Sequence, residues 1–438
     1  MARTLGQRLG YALGTSGISL GSAPITLFLL FYLTEVLGLR ASLAGLAVAL
    51  PKIWDAIVDP MFGGWVDRTA IRMGSRGPIV IWSSVAFIAS LLLTFALPHL
   101  DAPIQLTLLV SVIQIISSTS QTAFNVSQYA LAAEMTVNSR ELGSLLSLAG
   151  VVSQIFTVAS VAGAPVVVAW AGGAAAGYWR MAVVFAVAAT ILLAAFFVST
   201  RRIPVVGATT GAGSMSLWAS IRATVDNRPY YLLIAFLMFQ GVGTSIVFGF
   251  LPFANQYVLH GDAQGLSILE VVLFLAVMAG MPLTPLLLRF MSTMRAMRVC
   301  NIGIAIALVL TFVAGFGPLW CTWAGLAATG LVSGTAGILL QTSILEVART
   351  KLRGAVVVAS GFYLGIMVAA TKLGNSAGGF VSGEFLDAIG FVSGGAHQSP
   401  ATLALLRVGY TLAPMLFVIV AGVFLRFVVL PTDAGDQS

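Results

Sequence analysis

The chain has 438 residues, 58% of them hydrophobic and only 8% charged, with a mean hydropathy of +0.99. Average domains carry roughly 25% charged residues, so this composition excludes a water-soluble enzyme or binding module and identifies an integral membrane protein. The net charge of +7 does not point to nucleic acid, because no basic run is interleaved with aromatics and the basic residues cluster beside the apolar segments.

Apolar runs long enough to cross a bilayer, about 20 residues each, recur along the whole length. They lack the ten-residue alternation of an outer-membrane barrel, so the spans are expected to be helices. The first covers 9–37; Arg3 and Arg8 precede it, and it is too long for a signal-peptide core and has no following cleavage site, so it reads as an uncleaved span. The second, 41–66, contains "PKIWDAIVDP", with Lys52, Asp55 and Asp59 inside an otherwise hydrophobic stretch. Spans at 78–98, 103–133, 142–170 and 177–199 follow. A segment rich in Gly, Ser and Thr, with Arg201, Arg202, Arg222 and Arg228, then reads as a cytoplasmic linker over 201–228. Six more spans are expected at 229–258, 266–289, 297–315, 319–347, 355–385 and 402–430.

The domain division is thus a six-helix bundle over 1–200, the linker, and a second six-helix bundle over 229–438. Of the 22 Lys and Arg residues, only Arg40, Arg180 and Arg407 fall in odd-numbered loops, and Lys52 and Lys372 fall inside spans. All others flank even-numbered loops or the termini, which places both termini in the cytoplasm of a multi-pass protein of the cell inner membrane. A trace of duplication supports two halves in parallel repeat. The fourth span ends with Glu134 shortly before Arg140, and the tenth ends with Glu346 shortly before Arg353, an offset of about 212 residues.

A charge at mid-bilayer costs roughly 2.5–3.5 kcal/mol on insertion scales. Lys52, Asp55 and Asp59 in the second span and Lys372 in the eleventh therefore need partners or a wet cavity. At 3.6 residues per turn, positions 52, 55 and 59 share one helix face. Two carboxylates one turn apart repel each other unless a lysine, a metal ion or a shared proton intervenes. Each of these is a way to bind or release a cation; the alternative is that the carboxylates only pair with Lys52 and Lys372 to pin the halves together.

Four stretches carry a family resemblance: "FYLTEVLGL" (31–39), "KIWDAIVDPMFGGWVDRT" (52–69), "TAFNVSQYALAAEMT" (122–136) and "ATKLGNSAGG" (370–379). The chain resembles the glycoside-pentoside-hexuronide cation symporters, the melibiose permease-like family of the major facilitator superfamily. That resemblance implies an all-α membrane fold of 12 transmembrane helices in two six-helix halves. It also implies a cation site of Asp55, Asp59 and Thr122, with Lys372 linking that site to the substrate. The segment "GGWVDR" resembles the superfamily's cytoplasmic gating motif between the second and third helices, giving Asp67 and Arg68 a gating role alongside Glu134, Arg140, Glu346 and Arg353.

Departures from the family pattern shape the functional expectation. Members that use sodium commonly have Asn between the two aspartates, where this chain has Val58. Sodium needs several oxygen ligands, whereas a proton needs one carboxylate, so a proton is expected as the coupling cation. Sodium at Asp55 and Asp59 is the one metal the resemblance admits, and no other cofactor is expected. Where the resemblance would place acidic sugar ligands, the chain has Ser19 in the first helix and Asn125 in the fourth, and the arginine expected in the fifth is missing. Ser19 and Asn125 still hydrogen-bond hydroxyls, with Tyr32, Trp54, Phe124 and Tyr129 as surfaces for a ring to stack on.

The expected function is cation-coupled symport of a small polar solute, such as a glycoside, sugar or sugar acid, by alternating access in a monomer. Loss of the acidic ligands keeps open a lipid or amphiphile carrier of the same fold, and an accessory membrane protein without transport is a third reading. The costly charges argue against the last. An enzyme is not expected: His99, His260 and His397 lie near extracytoplasmic span ends, no Ser/His or HExxH pattern occurs, and Cys300 and Cys321 read as buried thiols.

Overall fold

A computed structural model describes residues 5–97, 102–135, 139–201, 203, 228–315, 318–351, 356–393 and 397–428. Among the described residues there is no strand, and twelve long helices follow one another: α1 (Leu5–Phe31), α2 (Ala41–Met73), α3 (Gly77–Phe95), α4 (Pro103–Met135), α5 (Ser139–Trp170), α6 (Ala174–Thr200), α7 (Arg228–Phe253), α8 (Ala263–Gly280), α9 (Thr293–Ala314), α10 (Leu319–Lys351), α11 (Val356–Ala388) and α12 (Pro400–Arg426). With no water in the hydrocarbon core, only a helix satisfies each backbone N–H and C=O internally without a closed sheet. The expected all-helical architecture is present.

Ten of the twelve are apolar and long enough to cross a membrane. The two others, α2 and α11, carry Lys52, Asp55 and Asp59, and Lys372.

Three features depart from the expected spans. Helix α2 continues to Met73, beyond the expected end at 66, so Asp67 and Arg68 lie in its last turns rather than in a loop. The eighth span breaks at Gly280 into a 3₁₀ turn (Met281–Leu283) and a short turn (Thr284–Leu287), because Pro282 and Pro285 remove two backbone donors in sequence. α1 and α7 both end in a π turn, Tyr32–Val36 and Ala254–Val258. Each π turn leads, one residue after its cap, into a positive-φ residue, Gly38 (φ 67°) or His260 (φ 49°). The expected linker lies mainly outside the described residues.

The chain divides into two compact units, one of Met1–Ala208 with Asp262–Ser267 and Val392–His397, the other of Thr209–Gly261, Ile268–Phe391 and Gln398–Ser438. The core of the first packs Tyr11 and Ile18 of α1 with Phe87 of α3, Phe124 and Leu131 of α4, Leu145 of α5 and Phe196 of α6. The core of the second packs Leu233 and Phe236 of α7 with Met297 of α9, Leu339 of α10 and Leu425 of α12.

Helix α4 is rich in hydroxyls, yet it is membrane-compatible. Thr107, Ser111, Ser120 and Ser127 each donate to a carbonyl four residues back, Pro103, Thr107, Ile116 and Ala123 respectively, at 2.6–2.9 Å. Back-bonding of this kind satisfies these buried hydroxyls within the helix itself.

Candidate functional site

The cation-site residues named from the sequence belong to the α2–α4 pair. Trp54 of α2 donates its indole N–H to Thr119 Oγ1 of α4 at 3.3 Å, which fixes the register of the two helices at that level. Because α3 runs between them in the opposite sense, α2 and α4 run parallel. At about 1.5 Å rise per residue, Thr122 lies about 4.5 Å beyond Thr119, while positions 55 and 59 lie about 1.5 and 7.5 Å beyond Trp54. Thr122 is thus level with the interval between the two aspartate positions.

Asp55 is buried, with 5% of its surface exposed. Lys52, one turn back and half-buried, stands in the field of its carboxylate. Lys52 and Asp55 lie one turn apart on α2, two of the three positions of the expected charged face. Thr122 and Asn125 are half-buried on α4, one turn apart, and Val58 is half-buried on α2. The side chains of Asp59, Asp67, Arg68, Arg140 and Glu346, and the whole of Arg353, lie outside the described residues. Lys372 is half-buried on α11 in the second unit.

The expected substrate residues separate into two groups. Ser19 of α1 shares a 2.7 Å hydrogen bond with Ser153 of α5, a polar contact within the first unit that the sequence did not single out. Tyr129 is 64% exposed and available to a ligand or to lipid. Tyr32 is instead fully buried: its ring packs on Phe95 at 5.2 Å and Tyr178 at 5.0 Å, and its hydroxyl donates to the Phe95 carbonyl at 3.3 Å. Phe124 is likewise sealed in the core against Phe196, at 5.3 Å. As folded here, these two rings pack helices together rather than line a binding surface.

Among the gating residues, Glu134 at the end of α4 accepts a hydrogen bond from Arg76 Nε at 3.2 Å, with each side chain only 7% exposed. Arg76 sits at the N-terminus of α3. Sequence spacing had drawn attention to Arg140 beside Glu134, whereas the ion pair reaches across to the α2–α3 connection. Arg76 is one of three arginines, with Arg68 and Arg72, between the second and third expected spans; such a cluster reads as a topology signal, so nothing in the sequence marked Arg76 for this role.

A family model described as "MFS/sugar transport protein" matches residues 10–432. The chain is 24% identical over 440 residues to the "Uncharacterized symporter YnaJ" of Bacillus subtilis (strain 168), covering 96% of this chain and 91% of that protein. It is also 24% identical over 427 residues to the "Isoprimeverose transporter" of Lactiplantibacillus pentosus, covering 93% and 85%. Among solved structures, a D-xylose-proton symporter superposes with a TM-score of 0.67 at 14% identity, covering 96% of each chain. At that identity the superposition speaks for the fold alone.

Proposed function

The chain belongs to the MFS/sugar transport protein family, and from that premise we propose that it couples entry of a small glycoside, sugar or sugar acid to a proton, by alternating access. Membership makes it a multi-pass membrane transporter of a small molecule rather than an enzyme, and the symporter relatives point to a coupling cation. The observation that carries the finer reading is the buried Asp55, with its neighbour Trp54 bonded to α4 so that Thr122 stands level with the interval between positions 55 and 59.

In this reading Asp55, Asp59 and Thr122 form the cation site, and Lys372 connects it to the substrate. A carboxylate pair one turn apart holds one proton readily, since a like charge disfavours ionising both groups. Val58 contributes no oxygen where sodium would need one. Ser19, Asn125 and Trp54 provide hydroxyl, amide and ring for a neutral or anionic sugar. The protein lies in the cell membrane with both termini cytoplasmic.

Purified protein in proteoliposomes, supplied with isoprimeverose, a panel of other xylosides and glucuronides, and separately imposed proton and sodium gradients, tests the proposal. The expected result is accumulation driven by the proton gradient, reduced in Asp59→Asn to simple equilibration. Accumulation that follows sodium and ignores pH overturns proton coupling. Failure of every sugar under either gradient overturns the substrate class.

A further inference from the structure

Glu270 lies in α8, outside every group assigned above. Its surface is 0% exposed, and among the described residues neither Oε1 nor Oε2 has a hydrogen-bond partner. The surrounding packing is close. A Cβ on Gly334 of α10 would meet the Val277 carbonyl of α8, and one on Gly330 would come within 2.6 Å of the Leu273 carbonyl. These contacts fix α8 and α10 side by side in parallel, because 273 and 277 meet 330 and 334 in order. One turn further back, the same register brings Glu270 level with the buried Leu326. Another turn brings Thr322 and Trp323, whose Oγ1 and indole N–H are also buried without partners.

On the α7 side, Phe274 stacks on Phe248 at 5.5 Å, and Gly409 of α12 lies against Phe250. Arg407 and Tyr410 of α12 therefore lie at about the height of Glu270, and the Tyr410 hydroxyl is a third buried polar group without a partner. Glu384 of α11, exposed and next to Phe385, which packs on Phe250 at 5.7 Å, lies at a similar height; Asp387 of α11, Tyr257 and His260 beyond α7, Asp262 just before α8 and Cys321 on α10 are further ionisable groups toward this end. Those of α9 and early α7, such as Arg298, Cys300 and Tyr230, lie toward the other end. None of these groups hydrogen-bonds to Glu270.

An ionised carboxylate sealed from water without a partner costs several kcal/mol, whereas a carboxylic acid there is neutral. We propose that Glu270 is a proton-binding site in the second unit: it holds a proton as packed here and exchanges it with water when α8 and α10 part. The step is a simple protonation, with the proton coming from and returning to water. Proton occupancy stands apart from the Asp55–Asp59 reading; only its use in transport rests on the proposed symport.

Infrared difference spectroscopy on the full chain in lipid, wild type minus Glu270→Gln, tests it directly. The expected difference is a carboxylic-acid C=O stretching band at neutral pH that moves to lower frequency after transfer to D₂O. A difference without that band overturns the proton site, and a band that never shifts in D₂O overturns exchange with water. Should Glu270→Gln fail to fold, wild-type protein carrying ¹³C-carboxyl glutamate keeps the proposal testable, because a buried glutamic acid band must shift with the label. In Asp59→Asn the Glu270 band is expected to persist while gradient-driven accumulation is lost, so the two readings fail separately.

Discussion

At the scale of single residues, the Arg76–Glu134 pair is the clearest target, because both side chains are almost wholly buried. Removing one partner of a buried pair leaves an uncompensated charge and costs about 3–5 kcal/mol, while replacing both with apolar residues is often close to neutral. Arg76→Leu and Glu134→Leu are each expected to lower the melting temperature in detergent, and the double variant to recover most of the loss. A double variant as unstable as the sum of the singles would show that the pair adds nothing jointly. Legibility at this scale followed chemistry. Lys52, Asp55 and Asp59 were visible because charge in the middle of an apolar run has few structural excuses. Glu270 was not, because it lies only four residues into the expected span 266–289 and so reads as an interfacial acid. Only the packing of α8 against α10 reveals that it is sealed.

At the scale of elements, α1 and α7 end alike: a π turn, a cap, then one residue in the left-handed region, Gly38 in the first half and His260 in the second. The backbone bonds match as well, Leu39 N–H to the Leu33 carbonyl at 2.8 Å and Gly261 N–H to the Asn255 carbonyl at 2.8 Å. This is the internal repeat expressed in geometry at a place where the sequence shows little of it, since glycine and histidine share no side-chain chemistry. A Cβ at Gly38 meets open space, so the whole penalty of Gly38→Ala is conformational, about 1 kcal/mol. His260→Gly is expected to change stability in the favourable direction by less, because glycine also adds freedom to the unfolded chain. Thermal unfolding of both variants in one detergent checks the signs; a stabilised Gly38→Ala would remove the equivalence. The twelve helices themselves were legible from hydropathy, and their ends were not, since Pro282 and Pro285 or a π turn act through local backbone geometry that composition does not register.

At the scale of the whole molecule, the proposed twelve-span topology puts both termini on one side of the membrane, and basic residues are the basis for choosing which side. Arg72 and Arg76 lie at the α2–α3 connection, Arg201 follows α6, Arg289, Arg295 and Arg298 surround the α8–α9 connection, and Arg426 ends α12. In the proposed topology all of these connections fall on the side of the termini, and the positive-inside bias is the reason to expect that side to be cytoplasmic. Met73 at the end of α2 and Gln264 at the start of α8 are both exposed and fall on opposite sides in this assignment. With Cys300 and Cys321 replaced by serine, a single cysteine at Gln264 is expected to react with a membrane-impermeant maleimide in intact cells. A single cysteine at Met73 is expected to react only after permeabilisation. The reverse pattern would overturn the proposed orientation.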